Sequence, residues 1–217
     1  YNTKIEMIKK YGSAEKIYDS FDEIKLELNL KTNYIKEVEL KKADEIADWI
    51  CKNKIGFITY FDKEYPCELQ NIDNPPYGLF FKGNINILKE RKVSIVGSRL
   101  CSQYGLEITK LLTKELISFN ITIISGGAKG IDSTAHKTCI EGLGKTVIVL
   151  GCGIDVVYPM QNKYLFKQVE KDGLIITEFL PGVKPLKRNF PRRNRIISGI
   201  SDGVVVVEAA EKSGALI

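Results

Sequence analysis

The chain has 217 residues, 44% hydrophobic and 27% charged, with a net charge of +5, so it can bury the core of one full-sized domain plus a small one and lies far from the composition of disordered chains. Its five cysteines, Cys51, Cys67, Cys101, Cys139 and Cys152, are odd in number, scattered and without a CxxC pair, so neither a disulfide framework nor a zinc site is suggested and the pattern reads as that of a reducing cytoplasm. No apolar run approaches the roughly 18 residues of a membrane span, and the opening Tyr1-Asn2-Thr3-Lys4 lacks the layout of a signal peptide, so neither membrane insertion nor secretion is expected.

Up to about Asn53 the pattern is helical. Ser13 is placed to cap a helix over 14–21, and Ala43, Ile46, Ala47 and Ile50 recur at helix spacing beside Trp49. Residues 1–53 are therefore expected to form a small helical domain. From Ile55 short extended pieces follow, over 55–60 and 77–81, with turn signals at Tyr65-Pro66, Pro75-Pro76 and Gly83-Asn84. Beyond Lys92 apolar runs at 93–96, 121–124, 147–150, 174–176 and 204–207 alternate with helix-length segments. That alternation predicts a doubly wound α/β domain over 54–217, whose mostly parallel sheet binds ligands beyond the carboxyl ends of its strands.

Two of the loops at those ends combine glycines with bases: Gly97-Ser98-Arg99 after the first run, and Ser125-Gly126-Gly127-Ala128-Lys129-Gly130 leading to Ile131-Asp132 after the second. Glycines let backbone amides approach an anion, a helix N-terminus adds partial positive charge, and Arg99 and Lys129 add full charges. The same glycines serve equally as tight turns beside solvated bases. Three nucleotide fingerprints fail. Ser125-x-Gly127-x-x-Gly130 lacks the first glycine of GxGxxG and the later acid, Gly151-x-Gly153 runs into Tyr158-Pro159, and Gly144-Lys145-Thr146 leads into a strand.

Catalytic chemistry has few candidates. His136 is the only histidine, one turn after Asp132, and no third partner stands near the pair. Asp132 is better read as accepting from the loop's amides, with His136 packed against the sheet. No catalytic residue, metal site or cofactor is expected. The most pronounced feature is the run 184–195, with six bases, no acid and Phe190 as its one aromatic. Read as a basic loop feeding a helix, it suggests a polyanion, with arginines forking onto phosphates and Phe190 either stacking on bases or anchoring the loop.

Taken in order, these motifs closely resemble the DNA-processing protein A family (DprA, also called Smf). The resemblance runs through Asp62-x-x-Tyr65-Pro66, Leu79-Phe80-Phe81-Lys82-Gly83, Ile95-Val96-Gly97-Ser98-Arg99, Ser125 to Asp132 with Ala135-His136, and Gly151 to Asp155. It continues through Tyr158-Pro159, Phe190-Pro191-Arg192-Arg193-Asn194-Arg195-Ile196-Ile197-Ser198-Gly199, Val207-Glu208-Ala209 and Ser213-Gly214-Ala215-Leu216-Ile217. It implies an extended Rossmann-like domain preceded by a helix-hairpin-helix or SAM-like module. It also implies a non-enzymatic protein that binds and protects single-stranded DNA without reading its sequence and loads the RecA recombinase during natural transformation. The nucleic-acid contacts implied are Gly97, Ser98, Arg99, Ser125, Gly126, Gly127, Lys129, Gly130, Arg192, Arg193, Asn194 and Arg195. A start without methionine and a stop at Ile217 lead to the expectation of a C-terminally incomplete chain, and a family homodimer would draw on the later part. Ser125-Gly126-Gly127 carries a glycine where many relatives have leucine. The competing reading is a nucleotide-binding or nucleotide-hydrolysing enzyme of a related Rossmann-like family, whose hallmark loop PGGxGTxxE supplies a proline, a GT pair and a glutamate that the Ser125-to-Gly130 loop lacks.

Overall fold

A computed structural model describes residues 2–29, 40–210 and 214; of Ser213-Gly214-Ala215-Leu216-Ile217, only Gly214 falls among them. The chain divides into two compact units, Tyr1–Ile55 and Gly56–Ile217.

In the first unit the described helices are α1 (Asn2–Tyr11), α2 (Ala14–Asp19), α3 (Phe21–Glu27) and α4 (Leu40–Lys52). Ser13 caps α2 by accepting the Lys16 N–H at 3.2 Å. The helix predicted over 14–21 is split, because Ser20 leaves helical geometry and its N–H closes α2 on Lys16 and Tyr18. Met7, Ile17 and Ile24 form the buried cluster, with Tyr11 packed beside it. Of the apolar positions read on α4, Ala43 and Ala47 are exposed while Ile46, Trp49 and Ile50 are half-buried.

The second unit is built on a seven-stranded sheet. In chain order its elements are β1 (Gly56–Thr59), α5 (Cys67–Gln70), β2 (Gly78–Gly83), β3 (Lys92–Val96), α6 (Gln103–Ser118), β4 (Thr122–Ser125) and α7 (Ile131–Glu141). They continue with β5 (Thr146–Val149), α8 (Lys163–Asp172), β6 (Leu174–Thr177), α9 (Asn189–Gly199) and β7 (Gly203–Val206). The strand order is β1-β2-β6-β5-β4-β3-β7. Strands β6, β5, β4, β3 and β7 run parallel, while β1 and β2 add antiparallel on the β6 side. The fold is the α/β, mostly parallel class that the alternating runs predict.

From β3 to β6 the chain steps in one direction across the sheet through α6, α7 and α8, and right-handed crossovers put these helices on one face. The next connection, through α9, returns past three strands to lay β7 on the far side of β3, which puts α9 on the opposite face. Neighbouring residues of β4 show both layers. Ile123 clusters with Ile131, Ala135 and Cys139 of α7, whereas Ile124 clusters with Ile196 and Ile197 of α9 and with Ile200 at its end. The winding therefore reverses at β3, and the carboxyl end of that strand is where such folds open a crevice. Its amino end is fixed by the buried Lys92 Nζ, which donates to Glu68 Oε1 at 2.9 Å and to the carbonyls of Leu88 and Glu90 at 2.9 and 3.0 Å.

His136 is wholly buried on α7. Its Nδ1 lies 2.7 Å from Thr146 Oγ1, and that hydroxyl donates to the Ile123 carbonyl at 2.8 Å, so the imidazole donates from Nδ1. Burial first, and the Arg193 charge second, push its pKa down to about 3 from 6.5. Below pH 6.5 the unfolded chain takes up a proton that the folded one refuses, so stability held at neutral pH is lost as the pH falls towards 3. Between pH 7 and pH 5 this costs about 2 kcal/mol. Urea unfolding at the two pH values should show that extra loss in the wild type and not in His136→Gln; equal losses in both would refute the assignment.

Candidate nucleic-acid interface

A cleft of about 610 Å³ opens at the carboxyl end of β3. Gly97, Ser98 and Arg99 line it from the loop after β3, Ala128 and Asp132 from the β4–α7 junction, Tyr158 from the β5–α8 connection, and Lys187, Phe190, Arg193 and Asn194 from α9 and the segment before it. The first predicted loop and part of the basic run therefore meet at one site. Lys129 is exposed but is not among the lining residues.

The Gly-rich loop is mostly interior. Ser125 is buried and its hydroxyl donates to the Ile95 carbonyl at 2.6 Å, tying β4 to β3. Gly126 must lack a side chain, since a Cβ there would come within 2.5 Å of the Arg193 guanidinium. Gly130 has φ +75°, and a Cβ on it would lie 2.3 Å from the Ser98 carbonyl oxygen, so only glycine lets the two loops touch. The Ile131 N–H reaches that same carbonyl at 3.3 Å.

Asp132 then fills part of the cradle from inside: its buried carboxylate accepts the Ala128 N–H at 3.3 Å. Burial pushes its pKa up, while the Arg193 charge and the Ala128 amide pull it back. The start of α6 is likewise taken by a carboxylate of the chain, that of Glu208, which accepts the Ser102 N–H at 3.0 Å. Each helix start thus already meets an acid of the chain itself, for the Gly-rich loop the Asp132 that the sequence reading placed there.

The basic run divides by geometry. Residues 184–188 precede the helix, and Arg192, Arg193 and Arg195 sit on α9, where successive side chains point about 100° apart. Arg193 points inward. It is 5% exposed, and its Nη1 donates to the Gly126 carbonyl at 2.8 Å and also to that of Val149. Burial pulls its pKa down to about 10, with Asp132 acting the other way. Arg193 and Ser125, which the resemblance implies as nucleic-acid contacts, are thus buried and spend these donors on backbone carbonyls, Arg193 at the edge of the cleft and Ser125 beneath it.

Arg195 is also engaged, donating to Glu178 Oε2 at 2.6 Å and to the Asn74 carbonyl at 3.0 Å. Arg192 is more open, with its guanidinium 5.5 Å from the centre of the Phe179 ring and 3.9 Å from Glu178. Asn194 donates to the Gly214 carbonyl at 2.8 Å. Arg99 is exposed, its guanidinium 5.2 Å from the centre of the Phe190 ring. The Arg193 guanidinium lies 5.9 Å from that same centre, and the Tyr158 ring 5.6 Å away. Phe190 is therefore both an anchor for two cations and part of the cleft wall.

Among the described residues no group of three or more His, Cys, Asp or Glu side chains could hold a metal ion, and no helix is long and apolar enough to cross a membrane. Chemically the site offers fixed cations and aromatic faces.

A family model described as DNA recombination-mediator protein A matches residues 56–217. The chain is similar to the DNA processing protein DprA of Streptococcus pneumoniae, with 44% identity over 164 residues, covering 76% of this chain and 58% of that protein. It is likewise 42% identical over 178 residues to the protein Smf of Escherichia coli, covering 82% and 48%. It thus spans about half the length of the relatives it matches. Among solved structures, that of DprA from S. pneumoniae aligns with a TM-score of 0.74 at 35% identity, over the whole of this chain and 81% of the other. A structure of DNA processing protein A from Helicobacter pylori, reported for its single-stranded DNA binding mode, gives 0.69 at 29% identity over 75% and 73%.

The division between supporting and presented arginines is open to test. Arg193→Met should lower the unfolding free energy by about 3–5 kcal/mol, because it strands the Asp132 carboxylate and two carbonyls, whereas Arg99→Ala should stay within about 0.5 kcal/mol. Urea denaturation of both variants checks this, and equal effects would contradict it.

Proposed function

The chain belongs to the DNA recombination-mediator protein A family, and on that premise we propose that it binds single-stranded DNA in the cleft at the carboxyl end of β3, without reading sequence. The observation that carries the proposal is Arg99, exposed at the cleft and braced on Phe190. An exposed guanidinium gives a phosphate a bidentate partner, and Phe190 and Tyr158 offer faces for unpaired bases, the combination that suits single strands. Gly97 and Ser98 shape the loop from which Arg99 projects. Lys129, Arg192, Arg195 and Lys187 extend the positive field around the site and Asn194 lines it, while Gly126, Gly127 and Gly130 keep the loop beneath it close-packed. The relatives' names and the DNA-binding H. pylori structure support the ligand class.

In the cell, this reading makes the protein a cytoplasmic DNA-processing factor that protects incoming strands and loads the RecA recombinase in recombination and transformation. Residues 1–53 are proposed to act as a separate helical module of the SAM-like or helix-hairpin-helix kind, and 54–217 as the DNA-binding domain. Binding needs no bond to be made or broken, so no catalytic residue is assigned.

Fluorescence anisotropy with labelled single- and double-stranded oligonucleotides at two salt concentrations tests the reading. Single strands should bind more tightly, with log affinity falling by about 0.7 per log salt for each phosphate neutralised. Arg99→Ala should weaken all sequences alike and flatten that slope. A salt-independent affinity, a loss confined to particular sequences, or nucleotide turnover would refute it.

A further inference from the structure

Glu208, just beyond β7, holds both ends of the loop that carries Arg99. At one end its backbone carbonyl accepts the Ser98 N–H at 2.7 Å. At the other its carboxylate accepts the Ser102 N–H at 3.1 and 3.0 Å and the Ser102 hydroxyl at 2.7 Å. That hydroxyl oxygen in turn accepts the Gly105 N–H at 3.0 Å, as the N-cap of α6. Space is tight around the carboxylate, because a Cβ on Gly105 would lie 2.3 Å from Glu208 Oε2. Inside the loop the Ser98 hydroxyl donates to the Leu100 carbonyl at 2.9 Å and accepts the Leu100 N–H at 3.2 Å. Arg99 therefore projects from a backbone tied before, after and within.

We propose that Glu208 is the positioning residue for Arg99, acting on DNA binding only through the pose of that loop; the inference rests on the reading that Arg99 meets a phosphate. An acid beside a DNA site is at first sight the wrong charge. Here the carboxylate is half-buried and committed to Ser102 and to the positive start of α6, so its field is met by the helix. In return the loop is ordered before the strand arrives, and the ordering cost of gripping a phosphate falls. The contact is not available to a local sequence reading, because Glu208 and Ser102 are 106 positions apart.

The sign of the effect separates positioning from plain electrostatics. Removing a negative charge near a polyanion site strengthens binding if charge alone matters, whereas losing the loop's pose weakens it. Anisotropy titrations of the full chain with a single-stranded oligonucleotide, on the wild type, Arg99→Ala, Glu208→Ala, Glu208→Gln and the Arg99→Ala/Glu208→Ala pair, give the reading. Arg99→Ala should weaken binding roughly tenfold or more. Glu208→Ala should weaken it at least threefold and reduce the salt slope, and Glu208→Gln, which keeps an acceptor for Ser102, should stay within twofold of wild type. The pair should bind no more weakly than Arg99→Ala alone, since residues acting through one contact are not additive. Tighter or unchanged binding by Glu208→Ala, or multiplied losses in the pair, would overturn the inference while leaving the DNA-binding reading intact. Wild-type binding by Arg99→Ala would overturn both. Should Glu208→Ala lack the circular dichroism of the wild type, Ser102→Ala removes one donor to the same carboxylate and must weaken binding without loss of fold; unchanged binding there would also sink the idea.

Discussion

The buried guanidinium of Arg193 is the interaction on which the site depends. From α9 it reaches across to the carbonyls of Gly126 and Val149, at the ends of β4 and β5, with the Asp132 charge beside it. Three elements distant in sequence are thus fixed to one planar cation. A buried arginine with its charge met by a carboxylate and its donors by carbonyls is tolerated, whereas the same group with a partner removed leaves an uncompensated charge in the interior. Gly126 follows from this arrangement, since any side chain there would displace the guanidinium. The surface proposed to face phosphates is therefore the outer layer of a polar interior.

That layering explains which parts of the molecule were legible in the sequence. The alternation of apolar runs with helix-length segments predicts the parallel sheet, and the runs at 147–150 and 174–176 match β5 and β6 within a residue or so. The pieces at 55–60 and 77–81 announce strands. Nothing local says that they extend the same sheet antiparallel beside β6, because pairing partners are chosen by long-range contact. The split of the first capped helix at Ser20 was equally hidden, since its apolar spacing runs on unbroken through Phe21.

At the site, the sequence announces a concentration of bases but not their directions. Arg192, Arg193 and Arg195 look alike in a string of residues, yet one is interior, one is held by Glu178 and one is more open. A signal was present, because Arg193 stands three, four and seven positions before Ile196, Ile197 and Ile200, which is the spacing of one helix face. Reading that face as the core side places Arg193 inward. Asp132 was legible for a related reason: its carboxylate serves an amide four residues before it, as helix-start acids commonly do. Glu208 carried no comparable local mark.

The shared ring of Phe190 has a consequence for how an occupied cleft feels to the rest of the domain. Two guanidinium groups, one at the surface and one in the interior, rest against a single aromatic side chain, and the outer charge disfavours the inner one. On the proposed reading an anion seated on the outer one would relieve that repulsion inside as well, where Arg193 joins α9 to the ends of β4 and β5. Ligand and framework would in this way be linked reciprocally. In the proposed complex a DNA strand settling on the surface would also tighten the scaffold beneath it, and a scaffold under strain would release its strand more readily.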